Sequence, residues 1–450
     1  MATIQVGGLA TGLDTNKIID QLIALERRPI DLLNGQVTAA QSTKDAISTF
    51  SGKLSAIKSA ADELKTVDKV LVRTAASSNT SILTAVAGEG AGRGTTTFNV
   101  SQLARGSVAS STVGVASAAT TVASSDGTFQ FQVGAGALQS VNVDSTTTLQ
   151  QLADRINNLH AGVTASAINL GTASSPEFRL QIVTAETGSA STVAVVHDDT
   201  SLALQTSQAG HDAQFTVSGF SGTFSRASNT FSDVLTGITV SLRDVGASTV
   251  TVSDDGAAIT GKVNTLVGAF NDLVRYLAGQ STVNVSDDKN QASIGALATD
   301  TTAKRIEGQL HHIFSGVLTG ASTGFVNLST LGLSTQRDGT ILFNQGKFFQ
   351  ALGQDPTAVA QVLAGNGVGN GVANDLRTYI DSVTASGGAI DSRSNGIDGQ
   401  VRQLQDQIDQ AQRNLDQFEL NLRRQFADLE SVVNGLKSQG DFITAALKKA

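Results

Sequence analysis

Residue types that commonly do chemistry are few in this chain and poorly arranged for it. Five histidines occur, His160, His197, His211, His311 and His312. No two stand four apart, the spacing that puts two metal ligands on one helix face. His311 and His312 are adjacent and point to different faces, as polar residues on a helix surface do. Gly320-Ala321-Ser322-Thr323-Gly324 matches the nucleophile-elbow pattern, but it follows a helical stretch where the elbow needs a strand. No histidine follows His312 to complete the serine–acid–histidine order. Asp198-Asp199, Asp254-Asp255 and Asp287-Asp288 sit among turn residues; Asp288-Lys289-Asn290 opens like a calcium loop but lacks the following glycine and the distal glutamate. Gly88-Glu89-Gly90-Ala91-Gly92-Arg93-Gly94 has neither dinucleotide nor P-loop spacing and reads as a flexible turn. With no cysteine, thiolate metal sites, disulfides and thiol nucleophiles are excluded. The expectation is a protein that is not an enzyme, with no cofactor and no metal.

Function must then lie in what the elements pair with and present. At 450 residues the chain exceeds what one hydrophobic core holds, so several domains are expected. A net charge of −8 with only 16% charged residues argues against nucleic-acid binding. Apolar residues at 40% suffice for packed cores. No apolar run reaches the roughly 18 residues of a membrane span, so no membrane insertion is expected. The opening MATIQVGGLATGLD lacks a basic stretch followed by an apolar one, so no cleaved secretory signal is expected. A cysteine-free chain rich in Ser, Thr, Gly and Ala suits export in an unfolded form.

Apolar spacing divides the chain into helical ends and a β-rich middle. Ile18, Leu22 and Leu25 step by four and three, followed by Leu33, Val37, Ala40 and Ile47, then Phe50, Leu54, Ile57, Ala61 and Leu64. Asp14 or Thr15 can cap this helix, and Pro29 predicts a break or kink. At the other end Val401, Leu404, Ile408, Ala411, Leu415, Phe418 and Leu422 alternate steps of three and four. A stutter at Phe426 follows, then Leu429, Val433 and Leu436. Such a seam between polar residues predicts a coiled-coil-like helix that Gly435 and Gly440 loosen. Phe442, Ile443 and Leu447 form a short amphipathic end with nothing nearby in sequence to bury them.

Between the ends, short alternating runs such as 95–100, 128–133, 178–183, 214–217 and 238–242 read as strands. One helix is inserted among them at 148–156. Helices return from about 254, with a hairpin at 331–343 turning on Asp338-Gly339 and a flexible loop at 366–371. The expected fold is α+β and multidomain. Paired N- and C-terminal helices (1–43 and 406–450) form a leg, 44–70 and 254–405 a helical trunk, 71–122 and 211–253 a β-rich plate, and 123–210 a second plate set into the first.

The run Gly8-Leu9-Ala10-Thr11-Gly12-Leu13-Asp14-Thr15, with Ile18-Ile19-Asp20-Gln21-Leu22 and Glu26-Arg27-Arg28-Pro29-Ile30, resembles the start of the flagellar filament cap family, the hook-associated protein 2 family. Phe426-Ala427-Asp428-Leu429-Glu430, Leu436-Lys437-Ser438-Gln439-Gly440 and Phe442-Ile443 resemble its end. Stretches 228–242 and 331–362 fit as well, whereas about 105–210 carries no motif of the family. The resemblance implies a ring of several copies at the distal tip of the filament. That ring retains exported flagellin and helps it fold and polymerise, with secretion through the type III system. It implies as partners the chain itself, flagellin, the hook–filament junction proteins and an export chaperone. Expected leg contacts are Ile4, Val6, Leu9, Ile18, Leu22, Leu25, Leu404, Ile408, Leu415, Phe418, Leu422, Phe426, Leu429, Phe442 and Ile443. The alternatives are another axial junction protein, or a surface adhesin whose β domains bind host surface glycans.

Overall fold

The computed structural model describes residues 14–285, 292–320 and 324–447. Helices α1 (Thr15–Asp62) and α2 (Val67–Val70) come first. Strands β1 (Arg73–Ser77), β2 (Leu83–Ala87), β3 (Gly94–Gln102), β4 (Val108–Ser111), β5 (Gly127–Val133) and β6 (Gln139–Val143) lead to α3 (Leu149–Asn158). Next come β7 (Val163–Asn169), β8 (Phe178–Thr184), β9 (Val193–Asp198), β10 (Leu204–Gln208), β11 (Ala213–Val217), β12 (Phe224–Arg226), β13 (Thr230–Leu235), β14 (Ile238–Leu242) and β15 (Gly246–Asp254). Helix α4 (Gly256–Gln280), hairpin β16 (Val283–Val285) and β17 (Ala292–Ile294), α5 (Thr301–Phe314), and hairpin β18 (Leu333–Thr335) and β19 (Ile341–Phe343) follow. The chain continues through α6 (Gln345–Gln354), α7 (Pro356–Ala364), α8 (Val372–Thr384) and α9 (Ala389–Leu447). The fold is α+β and multidomain. It divides into two compact units, Met1–Val70 with Thr260–Ala450, and Leu71–Ile259.

In the helical unit, α1 begins where the Asp14 carboxylate accepts the Lys17 N–H at 3.1 Å. It runs unbroken for 48 residues through Pro29, so of the expected break or kink the break does not occur. Proline removes one N–H from the ladder, but Ile19 and Ile30 are buried on either side of it and hold both halves in place. Helix α9 likewise passes Gly435 and Gly440 without interruption. The hairpin turns at Gly339 (φ +84°), where Gln336 N–H donates to the Thr340 carbonyl at 2.7 Å. The expected flexible loop at 366–371 is a closed turn. The Asn366 side chain donates to Thr319 O at 3.0 Å and accepts from Val368 and Gly369 N–H at 3.0 and 2.8 Å.

The β unit holds two separate cores. One lies between the antiparallel sheets β1-β15-β3-β11-β12 and β13-β14-β2. It centres on Phe215, stacked on Phe231 (4.8 Å, 3°) and on Phe224 (5.8 Å, 9°). The other lies among β10-β4-β8-β7, β6-β5-β9 and α3. Thr148 and Gln151 close a reciprocal capping box on α3, which buries Leu149, Leu152 and Ile156. The second core already takes in Ala109 on β4, which pairs with β8 and β10. Strand β4 therefore packs with the inserted body. The run 108–111 is too short and too rich in Ser for its alternation to register in the sequence.

An asparagine amide clamps the backbone of another residue at three places. The Asn157 side chain accepts from Ala165 N–H (2.7 Å) and donates to Ala165 O (2.9 Å). Asn229 does the same for Ala104 (2.7 and 2.9 Å), and buried Asn271 for Ile341 (2.6 and 2.9 Å). Each satisfies both backbone groups of one residue.

Candidate interaction surface on the paired end helices

Helices α1 and α9 lie antiparallel, as cross-pairs along their length record. Thr15 Oγ1 donates to Glu430 Oε1 at 3.5 Å, and Lys44 Nζ meets Asp398 at 2.5 Å. Farther along α1, Lys58 pairs with Asp381 and Asp62 with Arg377 (2.6 Å), both on α8. Partial burial works to raise the Asp62 carboxyl, but the Arg377 hydrogen bond and charge outweigh it and hold it below the ordinary carboxylate value. The Glu63 carboxyl is lowered as well, by hydrogen bonds from Lys262 and Lys69.

Burial changes steeply along this pair. At the α8 end, Phe50, Leu54, Ile57 and Ala61 have no exposed surface. Towards Asp14, α1 is covered on one side only. Its inward residues there are Thr15, Ile19, Ile30 and Ala40, with Ile23, Leu33 and Val37 half-buried. This shifts the expected stripe by one residue. Ile18 is half-buried, while Leu22 and Leu25 are 37% and 53% exposed. Apolar residues are doubled at Ile18-Ile19 and Leu22-Ile23, so two stripes share the same spacing and periodicity alone does not choose between them.

On α9 the buried apolar residues are Ile390, Ile397, Leu404 and Leu415, with Ile408, Phe418, Leu422 and Phe426 half-buried. A small groove lined by Thr15, Asn16, Ile19, Arg423, Phe426, Ala427 and Glu430 marks the last described contact of the pair. Beyond it, Leu429 (48%), Val432 (61%), Leu436 (62%) and Ile443 (57%) are exposed at steps of three, four and seven, which places them on one face. Phe442 is 76% exposed, and Leu32 and Leu420 add exposed leucines. Sequence reasoning missed Val432, Leu32 and Leu420; the 429-432-436 step was there to find Val432. Ile4, Val6 and Leu9 lie outside the described residues.

The polar side of α9 is occupied by its own neighbours: Gln412 donates to Asp416 (2.8 Å) and Arg423 to Glu419 (2.7 Å), each one turn apart. Among the described residues, no convergent reactive cluster accompanies the apolar face. His312 is exposed, whereas His311 is half-buried edge-on to Phe270 at 5.0 Å, which corrects its expected place on the surface. The acidic pairs serve local structure. Asp254 is held by Arg73 and Arg93, Asp255 caps α4 through Ala258 N–H (2.9 Å), and Asp198 closes a turn on Thr200. Asp287-Asp288 and Ala321-Ser322-Thr323 lie outside the described residues. Among the described residues, no group of three or more His, Asp or Glu is arranged to hold a metal ion, and no helix is long and apolar enough to cross a membrane.

Two family models match this chain. Flagellar hook-associated protein 2 C-terminus covers residues 210–438, and flagellar hook-associated protein 2 N-terminus covers residues 11–107. Flagellar hook-associated protein 2 of Escherichia coli K12 is 27% identical over 99% of this chain and 98% of its own length. The B-type protein of Pseudomonas aeruginosa is 30% identical over 83% of this chain and 80% of its own length. Among solved structures, the D1-D2-D3 domains of the flagellar cap protein FliD from Escherichia coli superpose with a TM-score of 0.65 at 26% identity, covering 78% of this chain and 99% of that one. The C-terminal model alone spans more than half of the sequence, and the chain belongs to the flagellar hook-associated protein 2 family.

Proposed function

We propose that this chain is the structural cap at the distal end of a bacterial flagellar filament. There it retains exported flagellin and promotes its folding and polymerisation. The observation that carries this function is the paired end helices, whose inner face is closed by α1 and α9 while an apolar stripe remains open beside it. An open apolar helix face suits docking to the helical end of a filament. The coiled-coil-like leg then comprises 1–43 and 406–450, the trunk 44–70 and 254–405, and the two β bodies a plate. Several copies close a ring, and contacts to flagellin run through the leg. The chain reaches its site by type III export with a chaperone, and its partners include the hook–filament junction proteins on which the filament starts.

The test is a clean deletion of the gene, with flagellin quantified in the medium and filaments counted by microscopy. Bare hooks with abundant monomeric flagellin outside the cell, followed by regrowth when purified protein is added to preformed junctions, is the expected outcome. Filaments of normal length would refute it, and lost surface attachment alongside them would point to an adhesin.

A further inference from the structure

In the β unit, the body around β4–β10 is joined to the body around β1–β3 and β11–β15 by two covalent crossings, 103–107 and 209–212. The crossings run side by side. Arg105 N–H donates to His211 O at 2.9 Å, and His211 N–H donates to Arg105 O at 3.1 Å. Two adjacent strands define an axis, and by themselves they allow the inserted body to swing about it. A third contact removes the freedom where it ties the inserted body to the other body as well as to the crossings. The structure supplies one in the turn Thr187-Gly188-Ser189, which leaves the inserted body, packs on the crossing through Gly188 N–H to Arg105 O (3.1 Å) and meets the other body at Ala227. Asp212 Oδ1 accepts the Ser189 N–H at 2.7 Å and its hydroxyl at 3.0 Å, while Oδ2 accepts the Ser225 hydroxyl at 3.0 Å. Thr187 Oγ1 donates to Ala227 O at 2.5 Å.

Close approach is built in. A Cβ on Gly188, whose φ is +105°, would stand 2.8 Å from Ala227 Cβ, and one on Gly210 would stand 2.4 Å from Gly188 O. We propose that the 187–189 turn is a latch, engaged by Asp212, that couples the two β bodies into one rigid arm. Release of the latch frees the inserted body to swing about the paired crossings. In a protein whose β bodies meet other chains, this makes their relative orientation a switchable quantity rather than a fixed one.

The absence of cysteine makes the test clean. In the full chain, Asp154→Cys on α3 and Thr239→Cys on β14 carry spin labels, both positions being exposed. The distance distribution is read by double electron–electron resonance, with and without Asp212→Ala. A milder Ser189→Ala/Ser225→Ala background and circular dichroism on every variant separate release from unfolding. The expected result is one narrow distance with Asp212 and a distribution at least twice as wide without it, at unchanged secondary structure. A broad distribution with Asp212 present, or an unchanged width in both folded variants, overturns the latch.

Discussion

Replacing the open stripe of α9 separates docking from folding. Leu429, Val432, Leu436 and Ile443 are between 48% and 62% exposed, so each has about half of its side chain left to bury. Full burial of such a side chain stabilises by about 1.5–3 kcal/mol, so the uncovered half is worth about 1 kcal/mol and four of them about 4. At about 1.4 kcal/mol per decade, and with part of the gain offset by ordering, the fourfold change to Gln weakens docking by about 10²–10³. Gln matches Leu in helix propensity, so the free protein keeps its helix. By contrast, Leu415→Ala, at a position only 7% exposed, costs about 2–5 kcal/mol of folding stability. The assays are thermal unfolding of the purified chains and recovery of filament length in the deletion strain. The expected pattern is an unchanged melting point with lost capping for the fourfold variant. A melting point lowered as far as that of Leu415→Ala would show that the stripe is already covered within the chain, and full capping would show that nothing docks there.

Asn271→Ala leaves the buried N–H and C=O of Ile341 unpaired and should lower stability by about 2–5 kcal/mol in denaturant titration; a loss below about 1 would mean the amide is dispensable. Ala203 sits at φ +51°, so Ala203→Gly should raise stability by up to about 1 kcal/mol, and a loss would count against strain there. The Asp212 carboxyl is held below its ordinary value by the backbone N–H of Ser189, then by the Ser189 and Ser225 hydroxyls, with the neighbouring His211 charge adding slightly. A depressed carboxylate adds stability that is full above the unfolded value of about 4 and is lost as pH falls through the folded one. Melting points should therefore drop below about pH 4, less steeply in Asp212→Asn; parallel curves would remove Asp212 from the acid limb.

Legibility in the sequence followed the strength of the local pattern. The return of helices from about 254 and the turn at Gly339 stand where spacing and turn chemistry put them, because α8 buries Val372, Leu376, Ile380 and Val383 on one face and the turn needs a glycine at φ +84°. Pro29 does not break the helix because its effect is local, while packing of Ile19 and Ile30 acts on both sides. The stripe on α1 slipped by one residue because apolar side chains are doubled at 18–19 and 22–23, and only the position of α9 selects between them. Strands such as β4 and β9 escaped notice because Ser, Ala and His interrupt their alternation, and their pairing is long-range. The amide clamps of Asn157, Asn229 and Asn271 leave no trace in spacing. An asparagine near a turn has many local uses, and its partner lies elsewhere in the chain.

The continuity of α1 bears on how a surface built for docking can be part of a stable protein. A two-helix pair covered on one side has little core of its own, and isolated helix formation starts from an unfavourable nucleus. Here α1 is anchored at its far end, where Phe50, Leu54 and Ile57 are wholly buried. From there the same helix extends without a break to Thr15, adding hydrogen bonds one residue at a time. The open half is therefore the low-stability end of a helix whose other end is fixed, and opening free energies should fall steadily from Ile57 towards Thr15. Amide exchange read along α1 should show that gradient, and docking at the open stripe should flatten it. A step at Pro29, with uniform protection on either side, would mean that the two halves fold as separate elements.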